Sequence, residues 1–182
     1  IDGHRAYGTE GKLLSRGGDP VPGLVNMPHI QEELNILAER LPGGTWYDGE
    51  LYSTAMPFGR LSGCIRRASL KEEAMPLLPL MRYYIFDIFA PDRLDLTNQS
   101  RVIELDRVMK SYPFQYVVPV PVNLVESEDQ LMDFHDQAVQ AGFEGIIIRN
   151  CGGYYKIGHR SADIQKFKRF KDEEFEIVGY KE

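Results

Sequence analysis

Cysteine is scarce: the 182 residues contain two, Cys64 and Cys151, with no C-x-x-C spacing and no accompanying histidine pattern. That excludes a disulfide scaffold and a thiolate zinc site, and two free thiols in a reducing compartment are expected. Long apolar runs are missing too. Nothing approaches the roughly 20 residues a membrane-spanning helix needs, and the first residues lack the basic-then-apolar layout of a secretory signal. Internal repeats and low-complexity tracts are absent. Net positive charge is lacking as well: the formal charge is -6, which excludes a chain that is basic all over.

Averages hide distribution, however. From Arg149 to Lys171 the basic residues Arg149, Lys156, Arg160, Lys166, Lys168, Arg169 and Lys171 face one acid, Asp163. A second cluster holds Arg60, Arg66, Arg67 and Lys71. Each run is either a solvated face or a phosphate-facing surface on an otherwise acidic domain. An apolar share of 43% beside 26% charged residues fits one substantial folded domain with a real core.

Segments rich in β-branched and aromatic residues predict strands at GHRAYG, GKLLSR, TWYDGELYS, MRYYIFDIF, FQYVVPVPV, EGIIIRN, GYYKI, QKFKRF and FEIVGY. Helical periodicity appears in HIQEELNILAERL, LTNQSRVIELDRVMKSY and SEDQLMDFHDQAVQAG, the last with Ser127 as N-cap and Gly142 at its C-terminal end. GRLSGCIRRASLKEEAMPLLPL is too mixed for a linker, and no other segment marks a domain boundary. Tight turns such as TEGK favour antiparallel pairing over βαβ alternation, so the class is α+β.

Three clusters carry chemistry. In TWYDGELYS, strand alternation puts Asp48 and Glu50 on one face, while Gly49 lets another group approach the backbone. Two carboxylates there are either functional or matched by arginines at a sheet rim, because burying charge without partners is costly. In FEGIIIRN, Glu144 precedes a three-isoleucine run expected to be buried, which makes it a metal-ligand candidate or an exposed strand-start acid. In QKFKRF, Lys166 and Lys168 share a face opposite Phe167, and adjacent ammonium groups repel unless something negative, such as a phosphate chain, joins them.

In order and spacing the chain resembles the covalent nucleotidyltransferases, in particular ATP-dependent DNA ligases. The family's Lys-x-Asp-Gly-x-Arg motif is matched from its second position by Ile1, Asp2, Gly3, His4 and Arg5. The resemblance therefore expects the nucleophilic lysine one position before Ile1. Ser15, Arg16 and Gly17 resemble the Ser-Arg-x-Gly element, and Asp48, Gly49 and Glu50 the Asp-Gly-Glu element. Phe86 in YYIFDIF stands where the family stacks a ring on the base, Glu144, Gly145 and Arg149 match Glu-Gly-x-x-x-Lys/Arg, and Lys166 and Lys168 match Lys-x-Lys, with Gln165 replacing the usual leucine.

The resemblance implies an ATP-grasp-like nucleotidyltransferase domain over residues 1–182, with two antiparallel β-sheets and flanking helices around a nucleotide cleft. It implies ATP as donor with AMP as covalent adduct, Mg2+, and nicked double-stranded DNA as partner. Asp2, Arg5, Lys166 and Lys168 take catalytic roles; Gly3, Arg5, Glu50, Phe86, Arg149, Lys166 and Lys168 bind nucleotide; Ser15 and Arg16 touch DNA; Glu144 and Glu50 hold metal. A monomer is expected in the cytoplasm, in the nucleoid, or in a host's cytoplasm for a viral source, with an oligonucleotide-binding domain after EIVGYKE. An RNA ligase or an mRNA capping guanylyltransferase is the enzyme rival, separated by ATP against GTP and by DNA nicks against RNA ends. A non-catalytic nucleotide- or DNA-binding module is the rival of another class.

Overall fold

The computed structural model describes residues 3–70, 72–159 and 161–168. Strands β1 (His4–Thr9) and β2 (Lys12–Ser15) form a hairpin through Glu10 and Gly11, both at positive φ. Helix α1 (Pro28–Arg40) follows a 3-10 turn over Pro22–Asn26 and starts on a proline, whose missing N–H costs nothing in a first turn. Next come β3 (Trp46–Tyr52), α2 (Phe58–Arg66), a 3-10 stretch over Glu72–Leu80, and β4 (Arg82–Phe89). Then follow α3 (Asn98–Lys110), β5 (Val117–Pro119), α4 (Glu128–Gln140), β6 (Gly145–Arg149) and β7 (Ile164–Lys168). Thr97 and Ser127 cap α3 and α4, accepting N–H bonds from Ser100 and Gln130.

The strands make two sheets, as expected for the α+β class. One has five strands in the order β2-β1-β3-β4-β5, and the other pairs β6 with β7. The pairings are antiparallel except β4 with β5, which run parallel because α3 carries the chain back between them. Glu33 on α1 anchors β5: its carboxylate accepts the N–H groups of Gln115, Tyr116 and Val117, each at 2.7 Å. The predicted strand in FQYVVPVPV shrinks to three residues, since its prolines cannot donate to a ladder. GYYKI is no strand, contributing one bridge from Tyr154 to Thr97. The mixed segment from Gly59 on holds most of α2 and the 3-10 stretch. FEIVGY lies outside the described residues.

The contacts divide the chain into two compact units, 1–123 with 150–161, and 124–149 with 162–182. In the first, one face of the large sheet supplies Ala6, Tyr47, Leu51, Tyr83, Ile85 and Ile88 to a single apolar core. Ile30, Leu34 and Leu37 of α1, Leu61 and Ile65 of α2, and Leu105 and Val108 of α3 complete it. Burial of such side chains contributes about 1.5–3 kcal/mol each. In the second unit α4 packs on β6, and His135 meets the Phe167 ring at 5.0 Å. Among the described residues only one face of this two-stranded sheet is covered, so the three-isoleucine run is not buried as expected. Ile147 is 55% exposed.

Candidate functional site

The opposite face of the large sheet carries the charges. Gly49 sits between Asp48 and Glu50 because the Tyr83 ring crosses over it. A Cβ at Gly49 would lie 2.6 Å from that ring and 2.5 Å from the Tyr84 carbonyl oxygen. Tyr83 is fully buried and its hydroxyl donates to the Ala6 carbonyl at 2.8 Å, so the close approach predicted for this glycine comes from the core side.

Between Asp48 and Gly49 the β3/β4 register slips. Asp48 faces Asp87 and Gly49 faces Ile85, which leaves Phe86 as the extra residue of a bulge. Bulges re-aim side chains at functional sites. Phe86 is half-buried, with the Arg5 guanidinium 5.7 Å from its ring centroid.

Arg5 reaches Asp48 across the β1/β3 pair. Its Nε donates to Oδ1 at 3.0 Å and its Nη2 to Oδ2 at 2.6 Å, a two-point clamp. The Asp48 side chain is 2% exposed and that of Arg5 48%, so a buried acid holds a cation that still meets solvent. The hydrogen bond to Asp48 keeps Arg5 charged, raising its pKa despite partial burial. The Tyr155 hydroxyl donates to Asp48 Oδ2 at 2.8 Å. Glu50 holds the start of β1 by accepting the Gly3 N–H at 2.7 Å. Behind Phe86, Arg101 closes on Asp87 through Nε at 2.8 Å and Nη2 at 3.1 Å, a buried pair fixing that end of β4.

Ser15, Arg16 and Gly17 form the turn after β2, where the Gly17 N–H donates to Ser15 Oγ at 3.3 Å. They line a hollow of about 340 Å³ together with His4, Arg5, Phe58 and Arg66. Among the described residues three arginines and no carboxylate border it, an arrangement suited to an anion. The His4 imidazole stacks on Phe58 with centroids 5.2 Å apart. Burial, followed by the nearby Arg66 charge, pushes its pKa below the ordinary histidine value. The second basic cluster is thus split: Arg66 joins this hollow, whereas Arg60 and Arg67 border a separate one of about 260 Å³ beside Met56.

In the second unit, pairing of Ile147 with Lys166 and of Gly145 with Lys168 puts both lysines and Arg149 on one face, with Phe167 opposite, as alternation predicts. Glu144 is exposed and its Oε2 accepts from Lys166 Nζ at 2.6 Å. That hydrogen bond, reinforced by the lysine charges, lowers the Glu144 pKa. Gly145 has φ 155, and a Cβ there would strike the Phe167 carbonyl at 2.2 Å, so this glycine permits the strands to close beside Glu144.

Asp2, Lys71, Arg160, Arg169 and Lys171 lie outside the described residues. No group of three or more histidine, cysteine or acidic side chains able to hold a metal occurs among the described residues. Magnesium keeps several waters and needs only one or two carboxylates, and Glu50 in the first unit and Glu144 in the second each offer the oxygen ligands it takes. Motif reading missed Tyr155, Phe58 and Tyr7, whose ring centroid lies 5.1 Å from the Arg5 guanidinium. Their signal, an aromatic outside any motif, is shared by any core residue.

Residues 1–168 match the model of the family described as ATP dependent DNA ligase domain. A DNA ligase of African swine fever virus (isolate Warthog/Namibia/Wart80/1980) is 29% identical over 160 residues, 86% of this chain and 36% of the relative. A DNA ligase of Haemophilus influenzae is 25% identical over 180 residues, 99% of this chain and 60% of the relative. Among solved structures, Chlorella virus DNA ligase-adenylate overlays with a TM-score of 0.70 at 23% identity, covering 94% of this chain and 61% of that one. The ATP-dependent DNA ligase of bacteriophage T7, in complex with ATP, gives 0.70 at 18% identity over 92% and 60%. The chain therefore spans about a third of the length of the viral relative, the 36% above.

Proposed function

Because the chain belongs to the ATP-dependent DNA ligase family, we propose that residues 1–182 are its adenylation domain, which takes AMP from ATP onto a lysine and passes it to the 5′-phosphate of a nick in duplex DNA. The observation that carries this reading is the half-exposed Arg5 guanidinium held by buried Asp48 beside Phe86, all three at positions the family's motifs assign.

In the first step the amine of the lysine expected before Ile1 attacks the α-phosphorus of ATP. A nitrogen–phosphorus bond forms, the bond to pyrophosphate breaks, and the amine loses a proton. A lysine ordinarily titrates near 10.4, so it needs a positive or desolvated setting to attack at neutral pH. Lys166 and Lys168 supply such charge and contact phosphate, joined by Arg149. The Glu144–Lys166 pair is exposed and therefore weak in water, so a phosphate competes for Lys166. Arg5 offers its remaining donor edge to ribose or phosphate. Glu50, beside Gly3, accepts from ribose hydroxyls, and Phe86 stacks on adenine, worth about 1 kcal/mol beyond burial. Glu144 is the metal candidate, with Glu50 as ribose or second metal ligand, and a bound magnesium would neutralise phosphate charge. Asp2 takes a supporting catalytic role in the same motif. Such transfers depend mostly on positioning and charge neutralisation.

Ser15, Arg16 and Arg66 are the proposed contacts to the DNA backbone, without base readout. An oligonucleotide-binding domain in the full protein and a monomeric state complete the proposal. No described helix is long and apolar enough to cross a membrane.

The test is intact mass of the protein with its natural residues before Ile1, after incubation with magnesium and ATP, GTP or NAD separately. A gain of one AMP from ATP alone, lost on adding nicked DNA, is expected. No adduct from any nucleotide in a folded protein would replace this reading with a non-catalytic binding module.

A further inference from the structure

Tyr155 belongs to none of the motifs quoted above. It sits in the stretch 150–161, which is part of the first unit. That stretch is fastened to the start of α3, where the Asn98 N–H donates to the Gly153 carbonyl at 2.8 Å and the Gln99 N–H to the Cys151 carbonyl at 3.0 Å. The Tyr155 ring lies flat on Phe89, with centroids 4.0 Å apart and planes 8° apart. The Arg101 guanidinium stands 5.6 Å from the Tyr155 ring centroid and is itself locked to Asp87. Ring and backbone are thus fixed before the hydroxyl makes any bond.

That hydroxyl donates to Asp48 Oδ2 at 2.8 Å, the oxygen that also takes Arg5 Nη2 at 2.6 Å. Asp48 Oδ1 takes Arg5 Nε at 3.0 Å. The terminal torsion of an aspartate is broad, so the carboxylate plane is not set by its own rotamer. It is set by what it touches. With Arg5 on one side, only a second donor fixed elsewhere can hold that plane, and Tyr155 is such a donor. A guanidinium clamped through Nε and Nη2 is oriented as a rigid plane, and its outward Nη1 edge points wherever the carboxylate plane directs it.

We propose that Tyr155 is a positioning residue for nucleotidyl transfer: its hydroxyl fixes the Asp48 carboxylate and thereby aims the outward edge of Arg5 at the reacting nucleotide, an inference that rests on the adenylation reading above. Burial raises the Tyr155 pKa well above the ordinary tyrosine value, so the hydroxyl keeps its proton and remains a donor near neutrality. Small errors of aim at a reacting centre are costly, on the order of 100-fold for 1 Å.

The experiment compares the protein carrying its natural N-terminal residues with Tyr155→Phe, Asp48→Asn and the double variant, reading lysyl-AMP formation against ATP concentration and unfolding in urea. Tyr155→Phe keeps the stack on Phe89, so it is expected to fold. Its maximal rate of lysyl-AMP formation should fall about tenfold, with the half-saturating ATP concentration, KM, changed less than about threefold. Asp48→Asn should cost more, and the double variant no more than Asp48→Asn alone, because both act through one guanidinium. A Tyr155→Phe rate within about twofold of the parent, a change in KM alone, or multiplicative losses in the double variant would overturn the proposal. A folded parent that forms no lysyl-AMP overturns the adenylation reading and this proposal together, whereas an active parent with an unaffected variant overturns this proposal only.

Discussion

Replacing Gly49 with alanine places a methyl group where the structure has no room. The new Cβ would stand 2.5 Å from the Tyr84 carbonyl oxygen, 2.6 Å from Tyr83 Cζ and 2.8 Å from its hydroxyl. None of these atoms ends a flexible side chain. The first is β4 backbone, and the ring is fully buried and tied to the Ala6 carbonyl. Relief requires β3 to move off β4 or Tyr83 to leave its place. Overpacking of this kind costs about 1–3 kcal/mol, and breaking the buried hydroxyl bond adds about 1–3 more. A loss of about 2–6 kcal/mol is a large part of the about 5–15 kcal/mol that holds a domain together. Asp48 and Glu50 flank the site, so the same displacement should weaken nucleotide binding in whatever fraction folds. The assay is urea unfolding of the parent, Gly49→Ala and Gly43→Ala. A methyl group at Gly43 would meet nothing within 4 Å among the described residues, so that variant should stay within about 0.5 kcal/mol of the parent. Equal midpoints for the two variants would refute the close-approach argument.

Other substitutions probe the remaining supports. Glu33→Ala removes the acceptor of three N–H bonds, one from the fully buried Val117, and should cost about 2–5 kcal/mol in urea unfolding, with Glu33→Gln recovering part. Burial lowers the pKa of both His4 and His29 below 6.5, so the unfolded chain takes up protons first on acidification. Their stabilising contribution is full above 6.5 and is lost as pH falls through the lower folded values; the urea midpoint should therefore drop in acid, and drop less in His4→Asn/His29→Asn. Arg16→Ala and Arg66→Ala should each weaken nicked-DNA binding and reduce the slope of log affinity against log salt by about 1, measured by titration at several salt concentrations. Glu144→Ala should raise the magnesium requirement for lysyl-AMP formation; an unchanged requirement removes Glu144 from the metal role.

Much of this molecule is determined by residues close together in the chain. Helices α1, α3 and α4 follow from their apolar period and, in two cases, from a Thr or Ser cap. The shared face of Lys166 and Lys168 follows from alternation in β7. Such features need only local geometry, and the order of the motifs, from Asp2 to Lys168, is likewise a property of the chain itself. Other features are set by partners distant in sequence. Whether Asp48 serves as a ligand or as a clamp depended on Arg5, 43 positions away, and on Tyr155, 107 positions away. Phe86 leaves the strand's alternation because the β3/β4 register slips, which no pattern within β4 announces. The isoleucines of β6 read as core, yet among the described residues one helix covers a single face of a two-stranded sheet, so Ile147 is exposed. Local sequence decided which elements form, because hydrogen bonding and side-chain period act over a few residues. Burial and charge pairing decided what each side chain does, and those are set only when segments far apart in the chain meet.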